Sequence, residues 1–166
     1  GEMSLRAQAI TLSGGRVATD ADLSVNATHG DVNARAVSLD AAGSVQLNAT
    51  GSLQNIAGVW RAGEDLQARA REMSNAGGSL AAGGRLDVQA AGDIDNTAGT
   101  LLAEGAVQLS SKRLTNADGG QIVSRGDGGA DLSVRADSLD NRAGVIASTA
   151  GAVRVRTGTL DNREGL

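Results

Sequence analysis

The amino-acid sequence predicts an all-β chain wound as a parallel β-helix, a solenoid of about eight coils with three short strands in each coil of about 20–22 residues. The first observation is an asparagine that recurs at Asn55, Asn75, Asn96, Asn116, Asn141 and Asn162, with separations of 20, 21, 20, 25 and 21 residues. A fixed period of this length marks a stack of equivalent units. The second is a set of aliphatic pairs at two-residue spacing, bounded by glycines, which read as short half-buried strands. The third is composition: 24 Gly, no Pro, no Phe, no Tyr and a single Trp. Proline cannot donate to a β-ladder, and a core of Leu, Val, Ile and Ala suits narrow uniform layers.

Each element follows from that pattern. The first strand of successive units carries Met3/Leu5, Leu23/Val25, Val45/Leu47, Leu66/Ala68, Leu86/Val88, Val107/Leu109, Leu132/Val134 and Val153/Val155. Seven to nine residues on, the second strand begins at Ile10, Val32, Leu53, Met73, Ile94, Leu114, Leu139 and Leu160, with the recurrent Asn two residues later from Asn55 onward. A third aliphatic position follows at Val17, Leu39, Trp60, Leu80, Leu101, Ile122 and Ile146. A leucine-rich horseshoe has a similar period, but glycine interrupts every unit here too often for helices. No coil can bury its own apolar residues, so they must stack on their equivalents at roughly 4.8 Å per coil, making a rod of roughly 38 Å.

Two-residue spacing places the recurrent Asn on the inward side with the aliphatic residue before it, at a corner where Asn tolerates left-handed backbone and bonds to a neighbouring coil. The six asparagines are therefore expected to form a structural ladder rather than a ligand site. Leu12 and Ala34 occupy the equivalent places in the first units. Residues 1–52 thus read as coils of a divergent subtype and residues 53–166 as the Asn-containing subtype, in one continuous rod. The chain starts and stops within a unit, so it is expected to be a fragment of a longer protein.

Composition also narrows function. A net charge of −4 argues against nucleic acid as a partner, because phosphate binding needs a basic surface. Cysteine is absent, so neither a disulfide framework nor a thiolate metal site is available. No stretch approaches the roughly 20 apolar residues of a membrane span, and no signal peptide opens the chain.

Segments such as MSNAGGSLAAGGRLDVQAAG, IDNTAGTLLAEGAVQL and LDNRAGVIASTAGAVRVRTG resemble the repeats of filamentous haemagglutinin and related two-partner secretion exoproteins, among them contact-dependent inhibition proteins. The resemblance covers residues 37–166 well and the first part more loosely. It implies a right-handed parallel β-helix exported through an outer-membrane two-partner secretion transporter to the bacterial surface, as an adhesive or structural part of a fibre. Attachment to host cells is the expected role, and a passive stalk in a contact-dependent inhibition fibre is the alternative.

The one long interval, 25 residues from Asn116 to Asn141, locates an insertion. Ten residues separate Ile122 from Leu132 where six or seven are usual, and the added stretch contains Arg125, Gly126 and Asp127. Arg-Gly-Asp is the integrin recognition tripeptide. Asp127 would offer a carboxylate to a cation held by the integrin, Arg125 would meet an acidic pocket, and Gly126 would let the backbone turn between them. Filamentous haemagglutinin carries this tripeptide, which extends the resemblance to these three positions. Solenoids place functional loops in such insertions, and the three residues are the candidate receptor contact.

Other chemistry is weaker. Asp127 and Asp131 loosely match one copy of a calcium-binding glycine-rich repeat, a signature that needs tandem copies. Asp20/Asp22 and Asp93/Asp95 are carboxylate pairs whose spacing puts each on one strand face, the arrangement a carbohydrate-active β-helix would need. No exposed aromatic is present to stack on a sugar. His29, the sole histidine, lies in ATHGD near Asp22, Ser24 and Asp31 and reads as a surface turn. No catalytic residue, cofactor or metal ligand is assigned, and the expectation is a non-enzymatic segment.

Overall fold

The computed structural model describes all 166 residues and contains 21 β-strands and no helix. First strands stack on first strands in parallel, from Met3–Ala7 through Leu23–Ala27, Val45–Ala49, Leu66–Ala70, Leu86–Ala90 and Val107–Ser110. The register keeps aliphatic residues in columns, as in Leu66 on Leu86 and Ala68 on Val88. Second strands, among them Ser52–Gln54, Glu72–Ser74, Asp93–Asp95 and Arg113–Thr115, form a parallel column of their own. Third strands, from Arg16–Thr19 to Val145–Ser148, make a separate seven-stranded sheet. The result is a β-solenoid of about eight turns.

The last two coils differ from the three-strand expectation. Their first and second strands run together as Leu132–Asp140 and Val153–Asp161, which joins the first and second columns into one 14-stranded sheet. The N–H groups of Asp137 and Ser138 both donate to the Lys112 carbonyl, at 2.8 and 3.0 Å. Two residues thus oppose one, a bulge that rounds the corner without leaving the ladder.

Burial follows the two-residue alternation. Leu53, Leu66, Leu80, Leu86, Leu101 and Leu114 are completely buried, and Trp60 sits in register between Leu39 and Leu80. A single apolar cluster runs along the axis. Inward residues of the last coil have a neighbour on one side only, so Leu160 stays 56% exposed against 3% for its equivalent Leu139.

The corners refine the expected role of asparagine. Left-handed backbone occurs two residues after the asparagines, at Ala57, Gly77, Ala98, Asp118, Ala143 and Glu164, with φ between 51° and 61°. The asparagines themselves keep negative φ. Their contribution is the side chain, and the sharp turn is left to the residue that follows.

Candidate functional site

Inside the rod the six asparagines stand in one column. Each Nδ2 donates to the next Oδ1: Asn55 to Asn75, Asn75 to Asn96, Asn96 to Asn116 and Asn116 to Asn141 at 2.7 Å, and Asn141 to Asn162 at 2.6 Å. The same nitrogens reach third-strand carbonyls one coil on, Asn75 to Thr100 and Asn96 to Gln121 at 3.1 Å. Asn55, Asn75, Asn96, Asn116 and Asn141 are buried, so the bonds among them lie in a dry, low-dielectric interior where an unmade one is costly, and only the last, to the exposed Asn162, reaches solvent. The ladder's first oxygen, Asn55 Oδ1, has no partner because Ala34 and Val37 stand in the preceding coil where Asn and Gly recur later.

Outside the rod the inserted loop breaks the pattern. The Arg125 N–H still bonds the Ala103 carbonyl at 2.9 Å, which holds the tripeptide's first residue to the wall. A Cβ on Gly126 would come 2.5 Å from the Glu104 carbonyl oxygen, so glycine is what lets the chain leave the wall against the coil beneath. Residues 127–129 form the turn, and Arg125, Asp127, Gly128 and Gly129 are exposed. Arg125 and Asp127 take part in no ion pair within the chain, so both charges are available to a partner.

A serine closes the gap that this excursion makes. The third-strand column is Ala41, Ala62, Ala82 and Ala103 before it becomes Ser124 and Ser148. Ser124 is fully buried, and its hydroxyl lies 2.9 Å from the Gly105 carbonyl and 2.8 Å from that of Ala130. It replaces the backbone donor that the loop withdraws and ties the two feet of the loop together. Sequence reasoning missed Ser124. The signal was present as a change from four successive alanines, Ala41 to Ala103, to serine.

The family model described as haemagglutinin repeat matches residues 4–57, 35–131 and 127–166. The chain belongs to the haemagglutinin-repeat family. Its matched segments reach essentially end to end, and two of them meet at residues 127–131, inside the inserted loop. No curated protein and no solved structure matches the chain. The repeat makes it a segment of filamentous-haemagglutinin-like adhesin architecture. No helix is long and apolar enough to cross a membrane.

Of the acidic candidates in these haemagglutinin repeats, Asp20 is an exposed corner residue without a side-chain partner, while Asp22, Asp93, Asp95 and Asp131 are bonded within the rod. Asp22 lies in a corner, not on a strand as the spacing suggested, and its Oδ1 accepts the Ser44 N–H at 2.8 Å. Asp93 and Asp95 do share a strand, but Asp93 pairs with Arg113 at 3.3 Å and Asp95 accepts the Thr97 N–H and hydroxyl. Asp131, the second carboxylate of the calcium reading, accepts the Ala152 N–H at 2.9 Å and pairs with Arg154. The Ala152 N–H, then Arg154, hold its carboxyl below the usual range. His29 is exposed, and its side chain meets only the Thr28 hydroxyl, at 3.1 Å.

The last two coils add a charge network on the outer face. Arg142 chelates Asp140 and Arg163 chelates Asp161, each with a closest contact of 2.7 Å, and Arg142 reaches Asp161 at 3.8 Å. The Arg163 guanidinium is the main cause holding Asp161 at about 2 against an ordinary 3.8, and Arg142 likewise lowers Asp140. Folded-state pKa values are depressed, so the stabilisation is complete above the unfolded value and fades as pH falls from about 4 through 2. The melting temperature is expected to fall across that window, less steeply in Arg163→Gln, and the Asp161 carboxyl resonance should titrate near 2. An ordinary midpoint near 3.8 would refute the pairing.

Proposed function

We propose that the chain is an adhesive wall segment of a secreted bacterial filamentous adhesin, non-enzymatic, with Arg125, Gly126 and Asp127 as its contact to a host integrin. The supporting observation is the loop. The inserted loop presents an exposed arginine and an exposed aspartate free of internal ion pairs, two residues apart across a glycine, on the longest excursion from the repeat. A cation held by the receptor would take the Asp127 carboxylate and an acidic pocket the Arg125 guanidinium, a pairing that tolerates little change in reach.

The rod's role in this reading is presentation. A wall of stacked parallel strands, locked inside by amide bonds, holds the loop at a defined height and side. Export through a two-partner secretion transporter and display at the cell surface complete the proposal, with residues 1–52 and 53–166 as two repeat subtypes of one rod.

The test is attachment of integrin-bearing cells to the immobilised chain. Asp127→Glu keeps the charge but lengthens the side chain, and is expected to reduce attachment about tenfold or more, since a misplaced ligand oxygen forfeits a charge-assisted bond of roughly 1.5–3 kcal/mol. Attachment equal to that of the parent chain would reject the receptor contact and leave the passive stalk of a contact-dependent inhibition fibre as the better reading.

A further inference from the structure

Two asparagines stand apart from the ladder. Asn26 and Asn48 lie on the outward side of adjacent first strands, in register with one another, and neither side-chain amide bonds to any protein atom. Each begins the triplet Asn-Ala-Thr, Asn26 to Thr28 and Asn48 to Thr50. Each strand ends at the buried middle residue, Ala27 or Ala49, and the threonine stands in the corner just beyond it, with Thr50 exposed and the Thr28 hydroxyl donating to the Ala7 carbonyl at 3.2 Å. Asparagine is disfavoured in strands, and no internal contact accounts for these two.

We propose that Asn26 and Asn48 are a tandem asparagine-glycosylation site on the outer face of the rod. The triplet is the acceptor signature for this modification, and its two copies fall one coil apart. The backbone also protects the ladder from the same enzyme. The position two residues after each ladder asparagine is the left-handed corner, held by Ala57, Gly77, Ala98, Asp118, Ala143 and Glu164. A β-branched threonine is a genuine outlier in that conformation. The coil geometry that buries an asparagine therefore denies it the threonine that would mark it for modification.

In the reaction the Nδ2 of each asparagine attacks the anomeric carbon of a glycosyl diphosphate donor. The carbon–oxygen bond to phosphate breaks, the diphosphate leaves with the electron pair, and one amide proton passes to a base on the transferase. Strands about 4.8 Å apart bring the two products side by side, which suits short unbranched glycans.

The test is peptide mapping by mass spectrometry of the chain isolated from the cell that makes it. Glycosyl mass is expected on the peptides holding Asn26 and Asn48 and on none holding a ladder asparagine. It should vanish in Asn26→Gln with Asn48→Gln, and also in Thr28→Ala with Thr50→Ala, which keeps both amides. Melting temperatures of the glutamine variants should match the parent, because neither replaced amide bonds to the protein, while Thr28→Ala gives up one exposed hydroxyl bond to the Ala7 carbonyl. Blocking lipid-linked donor synthesis distinguishes the sources, since modification by a nucleotide-linked donor would persist. Unmodified asparagine at both positions, conversion to aspartate, or sugar on other residues would overturn the proposal.

Discussion

Asn96→Ala is expected to lower the free energy of unfolding by about 3–5 kcal/mol. The substitution removes the acceptor that Asn75 Nδ2 meets at 2.7 Å and the donor that Asn116 Oδ1 meets at 2.7 Å. It also deletes the 3.1 Å bond to the Gln121 carbonyl and leaves a void in a fully buried column. Asn116 Oδ1 then remains unpaired in a dry interior at a cost of about 1–3 kcal/mol, while Asn75 Nδ2 loses its shorter bond and keeps the one to the Thr100 carbonyl. Denaturant unfolding followed by fluorescence of Trp60 measures the loss two coils away, where it tests whether the stack fails as a unit. Attachment through the loop should survive wherever the variant remains folded. A change under about 1 kcal/mol would mean that the ladder contributes little to stability.

Gly99→Ala and Ala98→Gly, at neighbouring positions, are expected to move stability in opposite directions. Gly99 has ordinary negative φ, so its need for glycine is spatial. A Cβ there would overlap the Asn75 carbonyl oxygen and stand 2.6 Å from Asn96 Oδ1, atoms that backbone ladder and amide column hold in place. The cost should reach about 3 kcal/mol, at the upper end for overpacking. Ala98 is the reverse case, with φ of 53° and a Cβ that the left-handed region penalises by roughly 1–2 kcal/mol. Glycine relieves that strain and gains chain entropy on unfolding, so Ala98→Gly should be neutral or stabilising by up to about 1 kcal/mol. Equal signs for the two variants in thermal or denaturant melts would contradict this division of labour at the corner.

The fold was legible because a solenoid writes its geometry into the chain as a period. The inward aliphatic columns at Leu23, Val45, Leu66, Leu86 and Val107, and those at Leu53, Met73, Ile94 and Leu114, stack where two-residue alternation put them. Local reasoning went astray where a corner depends on the coil next to it. Asparagine's tolerance of left-handed backbone pointed to the wrong residue, since the buried amide needs its side chain aimed along the axis while Ala98 and its equivalents take the turn. Asp22 was placed on a strand because spacing alone does not show where a corner begins. Ser124 was overlooked because its purpose appears only when the Gly105 and Ala130 carbonyls are seen to converge on it.

Sequence by itself determined the parallel solenoid, the coil length, the inward residues and the place of the insertion, because each coil repeats the same local problem and its period survives in one dimension. Tertiary structure alone decided how far each asparagine amide reaches, which carboxylates are already bonded and which are free, and that Arg125 and Asp127 stand exposed beside a wall pinned by Ser124. Those outcomes depend on atoms about twenty residues apart in sequence and one strand spacing apart in space. Only stacking the coils brings such atoms together.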